Sequence, residues 1–311
     1  MGKGAIGVML LTLASFIWGS SFAAQSIGME YVEPATFNAA RFFVGALSLL
    51  PVIWARSVWA KRAGLFAEPL ARLESGKLLK AGLLCGAALF IGATLQQMGI
   101  VYTSVGKAGF ITALYIIIVP ILGLFMGKKA APRMWGCAAA AMAGLYFLCG
   151  VDPSALNKGD VMVLACAFLF SAHILLIDHF SPLVDGVKLS CLQFLTSGVL
   201  SLILAFMTEQ PTLYGIWGAR MPILFTGVLS CGVAYTLQIV GQKNVNPALA
   251  SLVMSLESVF SAIAGWAVLG EVLSAREISG CAMIFAAIIF ANGPVKKRKK
   301  TSGCSLEQPD S

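Results

Sequence analysis

The sequence predicts an all-α polytopic membrane protein: ten transmembrane helices in two five-helix repeats of opposite orientation. Three observations carry this. The 311 residues are 58% hydrophobic and only 12% charged, with a mean hydropathy of +0.85, whereas soluble domains average about 25% charged residues. Ten apolar stretches approach the roughly 20 residues needed to cross the hydrocarbon core. The last five echo the first five, and because five crossings end on the far side of the membrane, the second copy must thread in upside down.

Helix one, 5–27, carries Trp18 and Ser21. Lys3 and the small residues after Ser21 also suit a secretory leader, but the apolar run is long for one and its loss would break the five-plus-five count. Helix two, 34–54, starts at Pro34 after Glu30 and Glu33, a boundary of charge and turn formers. A modest loop at 56–78 leads to helix three, 79–101, with Gln96 and Gln97. Helix four, 104–126, holds Lys107 near its outer end, then Thr112, Tyr115 and Pro120, whose ring frees a backbone carbonyl and bends the helix. Helix five, 134–150, is separated from helix six, 160–178, by Asp152-Pro153 and by Asn157 before Gly159. Helix six contains His173 and helix seven covers 188–208. Helix eight, 221–242, sets Cys231, Tyr235, Gln238 and Gln242 on one face. Helix nine, 247–269, contains Glu257, and helix ten covers 276–293. The units expected are residues 1–150, residues 151–295 and a basic tail, 296–311.

The net charge of +8 reads as a topology signal. With the N-terminus inside, Lys3, the 56–80 segment, Lys128, Lys129, Arg133, Lys188, Lys243 and the run Lys296 to Lys300 are cytoplasmic. Only Lys158, Arg220 and Arg276 fall outside. The positive-inside rule then places both termini in the cytoplasm, in the plasma (inner) membrane. The tail is read as an anchor for the last helix in preference to a lipid- or nucleic-acid-binding element, so no nucleic acid partner is expected. Seven of the eight cysteines lie in or at the ends of apolar helices. No CxxC spacing and no His/Cys cluster marks a metal site or cofactor, so they read as small buried hydrophobes.

The internal echo is specific in places. Thr94-Leu95-Gln96 matches Thr236-Leu237-Gln238, Gly99 then falls on Gly241, and Gly123 falls on Gly265. Gly136-Cys137 meets Gly280-Cys281. Phe16 set on Phe168 brings Ser21 onto His173. Such order-preserving similarity is the trace of a duplication.

Further motifs resemble the drug/metabolite transporter superfamily, EamA type. They are Trp18-Gly19-Ser20-Ser21-Phe22, Pro34 with Arg41-Phe42, Asn246-Pro247-Ala248, Ser255-Leu256-Glu257 and Leu269-Gly270-Glu271. They run through nearly the whole chain in the expected order. The resemblance implies two inverted bundles, a central cavity and export of small metabolites or drugs. In one departure, Ser258 stands where relatives often have Pro, which predicts a less kinked helix nine.

Glu257 is the acidic residue deepest inside a predicted span. A charge at mid-bilayer costs roughly 2.5–3.5 kcal/mol on insertion scales, so it should face protein or water, and a carboxyl there is a candidate proton carrier. The bland alternative is a Glu that is simply paired or hydrogen-bonded. Arg41 lies two turns inside helix two, where it can pair with Glu257, bind an anionic group or snorkel outward. Gln96, Tyr115, Gln238, Tyr235, His173 and Trp18 are candidate cavity residues, though interhelical hydrogen bonding and packing explain each of them as well. Glu271 reads as a structural or gating residue near Arg276.

The chain lacks a Walker motif, paired catalytic carboxylates and a nucleophile elbow, which argues against direct ATP drive and membrane-embedded catalysis. It also lacks a filter-like loop for a channel. The expected partners are a small-molecule substrate, the lipid bilayer and, as candidates, protons and a second copy of the chain in a homodimer.

Overall fold

A computed structural model describes residues 2–62, 68–103, 105–128, 130–149, 157–269 and 274–292. Its helices are α1 (Lys3–Gly28), α2 (Pro34–Arg62), α3 (Glu68–Ile100), α4 (Val105–Thr112 and Tyr115–Phe125) and α5 (Pro132–Cys149). The second half repeats the series as α6 (Lys158–Phe180), α7 (Gly186–Thr208), α8 (Arg220–Gln242), α9 (Pro247–Met254 and Leu256–Leu269) and α10 (Ala275–Asn292). A short helix, Leu213–Gly218, precedes α8. Among the described residues, seven helical stretches are long and apolar enough to cross a bilayer, and shorter apolar helices complete the bundle. The expected 56–78 loop is largely helical, because α2 runs on to Arg62 and α3 begins at Glu68. The basic tail, Glu271 and the side chain of Lys107 lie outside the described residues.

Caps fix where the chain re-enters. Asn157 and Asp160 form a reciprocal capping box at the start of α6, and Thr103 at the end of α3 donates to Asp160 at 2.7 Å. Asp185 accepts from the backbone N–H groups of Val187 and Lys188 at the start of α7 and pairs with Arg56 of α2 at 2.9 Å. At the other end of α7, Glu209 accepts three hydrogen bonds of 2.7 Å from Ala35 N–H, Thr36 N–H and the Thr36 hydroxyl. A carboxylate at a helix N-terminus is favoured because it satisfies free amide donors and opposes the dipole. These ties, with the Lys128–Asp178 ion pair, each join segments that an alternating path places at the same membrane face.

The packing is two-fold. α1 lies against α8 and α9, α2 against α7 and α8, α3 against α6 and α7, α4 against α6 and α9, and α5 against α10. Advancing every helix by five turns this set of neighbours into itself. The closest approaches obey the same rule. A Cβ on Gly7 of α1 would stand 2.6 Å from the carbonyl oxygen of Gly241 in α8, and one on Gly159 of α6 would stand 2.7 Å from that of Gly99 in α3. Gly7 and Gly159 sit at matching positions of their repeats, as do Gly241 and Gly99. Large apolar side chains such as Trp54, Phe125, Phe206 and Ile289 point outward, where the solvent is lipid.

Because backbone meets backbone at these crossings, Gly7→Val and Gly159→Val are expected to lower stability alike, by about 1–3 kcal/mol each. Gly136→Val, whose Cβ meets nothing within 4 Å, serves as the neutral control. Thermal melts of the detergent-solubilised variants measure all three.

α4 and α9 are broken at equivalent places: the first segments end at Thr112 and Met254, and the second begin at Tyr115 and Leu256. With serine at 258, α9 is interrupted at Ser255, whose hydroxyl donates to Leu252 O at 2.7 Å, while Ser258 N–H reaches back only three residues, to Ser255 O. Serine hydroxyls competing for backbone carbonyls loosen a helix in this way. In α4, Pro120 lies inside the second segment. The break precedes it, at Ala113-Leu114, where the bonds of Leu114, Ile116 and Ile117 tighten to the three-residue spacing.

Candidate functional site

The broken helices bring polar side chains to one cavity in the middle of the bundle. Its volume is about 60 Å³, and Glu257, Arg41, Gln96, Tyr115, Gln238, Tyr235, His173 and Trp18 all line it. Its wall is completed by Phe22, Gln25, Thr112, Phe170, Ile174, Ser230 and Met254.

Glu257 lies in the first turn of the second segment of α9 and is 6% exposed. Its Oε1 accepts a hydrogen bond of 2.9 Å from the Tyr115 hydroxyl. Tyr115 opens the second segment of α4. The register that sets Gly123 on Gly265 sets Tyr115 on Glu257, so this bond joins equivalent residues across the two-fold axis. Gln96 and Gln238, equivalent in the same register, both line the cavity. Gln96 donates to Thr112 at 3.2 Å, whereas the side-chain oxygen of Gln238 has no partner.

Arg41 is 4% exposed, which removes the snorkelling alternative. Its Nη1 donates to Gln25 at 2.8 Å, and its guanidinium lies 5.1 Å and 5.7 Å from the ring centroids of Phe42 and Phe37. Its Nε has no partner, and no ion pair links it to Glu257. The matching position in α7 is Gln193, which meets His173 Nε2 at 3.0 Å. Trp18 stacks edgewise on Tyr235 at 4.8 Å and leaves its indole N–H unpaired. Tyr235 also meets the rings of His173 and Phe194.

Several polar residues noted in the sequence do not reach the cavity. Gln97 donates to Gln25 O and Gln242 to Ile174 O, both as interhelical ties. Cys231 is buried against Gly45 of α2. The π-helical stretch Phe225–Tyr235 widens the turn and rotates Cys231 away from the face of Gln238. Sequence reasoning missed Gln25. The signal was available: Trp18, Phe22 and Gln25 follow four- and three-residue steps on one helical face.

The two repeats each match the model of the EamA-like transporter family, over residues 5–150 and 157–293. The chain belongs to the EamA-like transporter family. An "Uncharacterized transporter" of Archaeoglobus fulgidus is 31% identical over 284 residues, covering 91% of this chain and 84% of that one. "Uncharacterized transporter YoaV" of Bacillus subtilis is 24% identical, with 96% and 100% covered. "Uncharacterized inner membrane transporter YedA" of Escherichia coli is 25% identical, with 88% and 86% covered. A solved structure titled "Crystal structure of protein" superposes with a TM-score of 0.72 at 18% identity, over 92% of this chain and 96% of that chain, which is a likeness of fold. This EamA-like chain is thus a multi-pass membrane transporter with a central polar cavity.

Proposed function

We propose that this transporter is a secondary carrier that exports a small metabolite, amino-acid-like or drug-like, by alternating access, without catalysis or ion conduction. Residues 1–150 and 151–295 rock about the cavity in the plasma membrane, with both termini cytoplasmic. The observation that carries this reading is the Tyr115–Glu257 hydrogen bond, a side-chain tie between equivalent positions of the two repeats inside the cavity. Two broken helices meeting at the midplane are what such carriers use to place polar groups there.

Glu257 gives the carrier a driving force. A buried carboxylate in lipid is stabilised by a bound cation or by a proton. If a substrate cation and a proton compete for it, each must leave before the other enters, and a proton gradient drives export. Counterflow in proteoliposomes tests this: saturable, exchangeable flux supports a carrier, whereas ion current or product formation without translocation contradicts it.

Tyr115→Phe removes one hydrogen bond from Glu257 and leaves the ring. It is expected to slow proton-driven flux about tenfold, on the scale of a lost bond to a charged group, with a modestly lowered melting temperature. Flux under an imposed pH gradient measures it.

A further inference from the structure

A second space, separate from the central cavity, opens on the membrane face opposite the N-terminus. There the α1–α2 turn, the end of α3 and the end of α7 frame a groove of about 610 Å³, against about 60 Å³ for the cavity. We infer that this groove is a binding site for a membrane lipid with an ammonium headgroup, of the chemistry of phosphatidylethanolamine, seated between the two repeats.

The groove has an apolar wall and an acidic rim. Met98 and Val101 of α3 and Leu204 of α7 form the wall. Met98 and Val101 are exposed, so this wall continues the surface that meets lipid, where hydrocarbon chains are the natural neighbours. Glu30 and Glu33, from the α1–α2 turn, also line the groove. Both are exposed, and neither has a cation within ion-pair distance among the described residues. The turn is braced, because the N–H groups of Tyr31 and Val32 both donate to Gly28 O. Past Glu33 and Glu209 the groove meets a polar lobe of about 600 Å³, lined by Thr208, Gln210 and Thr212. An apolar trough that ends in a polar, negatively charged mouth fits an amphipath with a positive head.

Two further groups favour a lipid over a simple amine. Thr94 lines the groove one turn before Met98 and is 7% exposed, yet its hydroxyl has no hydrogen-bond partner. A buried hydroxyl beside an apolar wall calls for an acceptor there. A glycerolipid supplies one, since its ester carbonyls lie between headgroup and chains, whereas an alkylamine presents only hydrocarbon at that depth. Lys158 stands 3.6 Å over the ring of Tyr102, which lines the groove at the end of α3. Lys158 is exposed and has no carboxylate within ion-pair distance among the described residues. It supplies a cation for the phosphate, while Glu30 and Glu33 take the ammonium. Tyr31 and Tyr102, both about half exposed, mark the interfacial level at which headgroups lie. Because Glu30 and Thr94 belong to one repeat and Leu204 and Thr208 to the other, a lipid seated here touches both.

The test uses the purified, delipidated full-length protein with phosphatidylethanolamine, with phosphatidylglycerol of the same acyl chains, and with free phosphoethanolamine. Thermal stabilisation in detergent reads binding. Phosphatidylethanolamine is expected to reach half its effect at a concentration at least tenfold below that of phosphatidylglycerol, and free phosphoethanolamine to have no effect in the same range. The double variant Glu30→Gln with Glu33→Gln, on an exposed turn, should erase the preference between the lipids. Leu204→Trp, which fills the trough, should weaken the binding of both. Equal responses of the wild type to the two lipids would overturn the inference, as would an intact preference in the double variant. A response to free phosphoethanolamine equal to that of the lipid would show that the headgroup alone is recognised, and the lipid assignment would fall. Should Leu204→Trp fail to fold, the two-lipid comparison and the double variant decide. Binding is read without transport, so the outcome is independent of the carrier reading.

Discussion

Glu257→Gln is expected to reduce proton-driven flux to the level of empty liposomes while the protein stays folded. The amide keeps the shape of the carboxyl and can still accept from the Tyr115 hydroxyl, now 2.9 Å away. What it loses is the ability to carry a charge or bind a proton. The buried charge penalty disappears with it, so the melting temperature should be equal or higher. The pH response should change in a defined way. On the proposed mechanism, protons compete with the substrate at Glu257, so acidification is expected to weaken substrate binding in the wild type. In Glu257→Gln, residual binding should be independent of pH. A pH-gradient flux assay beside a pH series of binding curves separates these effects, and a variant that retains full proton coupling removes Glu257 from the mechanism.

Gly19→Leu is expected to abolish transport through packing. α1 passes α9 at Gly19 so closely that a Cβ there would lie 2.5 Å from Glu257 O, 2.8 Å from Phe260 Cβ and 2.8 Å from Ser261 N. Two of these are backbone atoms, which no rotamer change can move aside. The larger side chain must therefore push α1 off α9 beside the cavity, at about 1–3 kcal/mol or more for an overpacked site. Gly19→Ala should give a partial loss of both stability and flux. Size-exclusion profiles and melting curves, read with counterflow, check the series; a Leu variant with native flux and stability would mean that the crossing is looser than described.

Much of the fold was legible because lipid imposes a simple rule: a crossing helix needs a long apolar run, and charges collect at its ends. The Thr-Leu-Gln match and the glycine offsets placed Gln96 in register with Gln238 and revealed the duplication. Glu257 and Arg41 stood out because ionised groups in apolar helices are expensive. Other features depended on long-range packing. The break of α9 at Ser255 follows from serine hydroxyls choosing backbone carbonyls, a local competition that apolar periodicity does not report. The π-helical stretch of α8 turned Cys231 away from the face of Gln238. Gln25 was passed over because one amide in an apolar helix looks like an ordinary interhelical tie until Arg41 is seen beside it. Pro120 drew attention to α4, yet the break falls nearly two turns earlier, where it matches the break in α9.

An alternating cavity requires the two repeats to be threaded oppositely through the membrane, and the exposed residues Tyr102 and Asn244 test this most directly. They sit at equivalent positions, just after α3 and just after α8. In a background with the native cysteines replaced, Tyr102→Cys and Asn244→Cys should react with a membrane-impermeant thiol reagent from opposite sides of intact cells: the first from outside, the second only after the membrane is opened. Labelling of both from the same side would contradict the inverted architecture and the alternating cavity built on it.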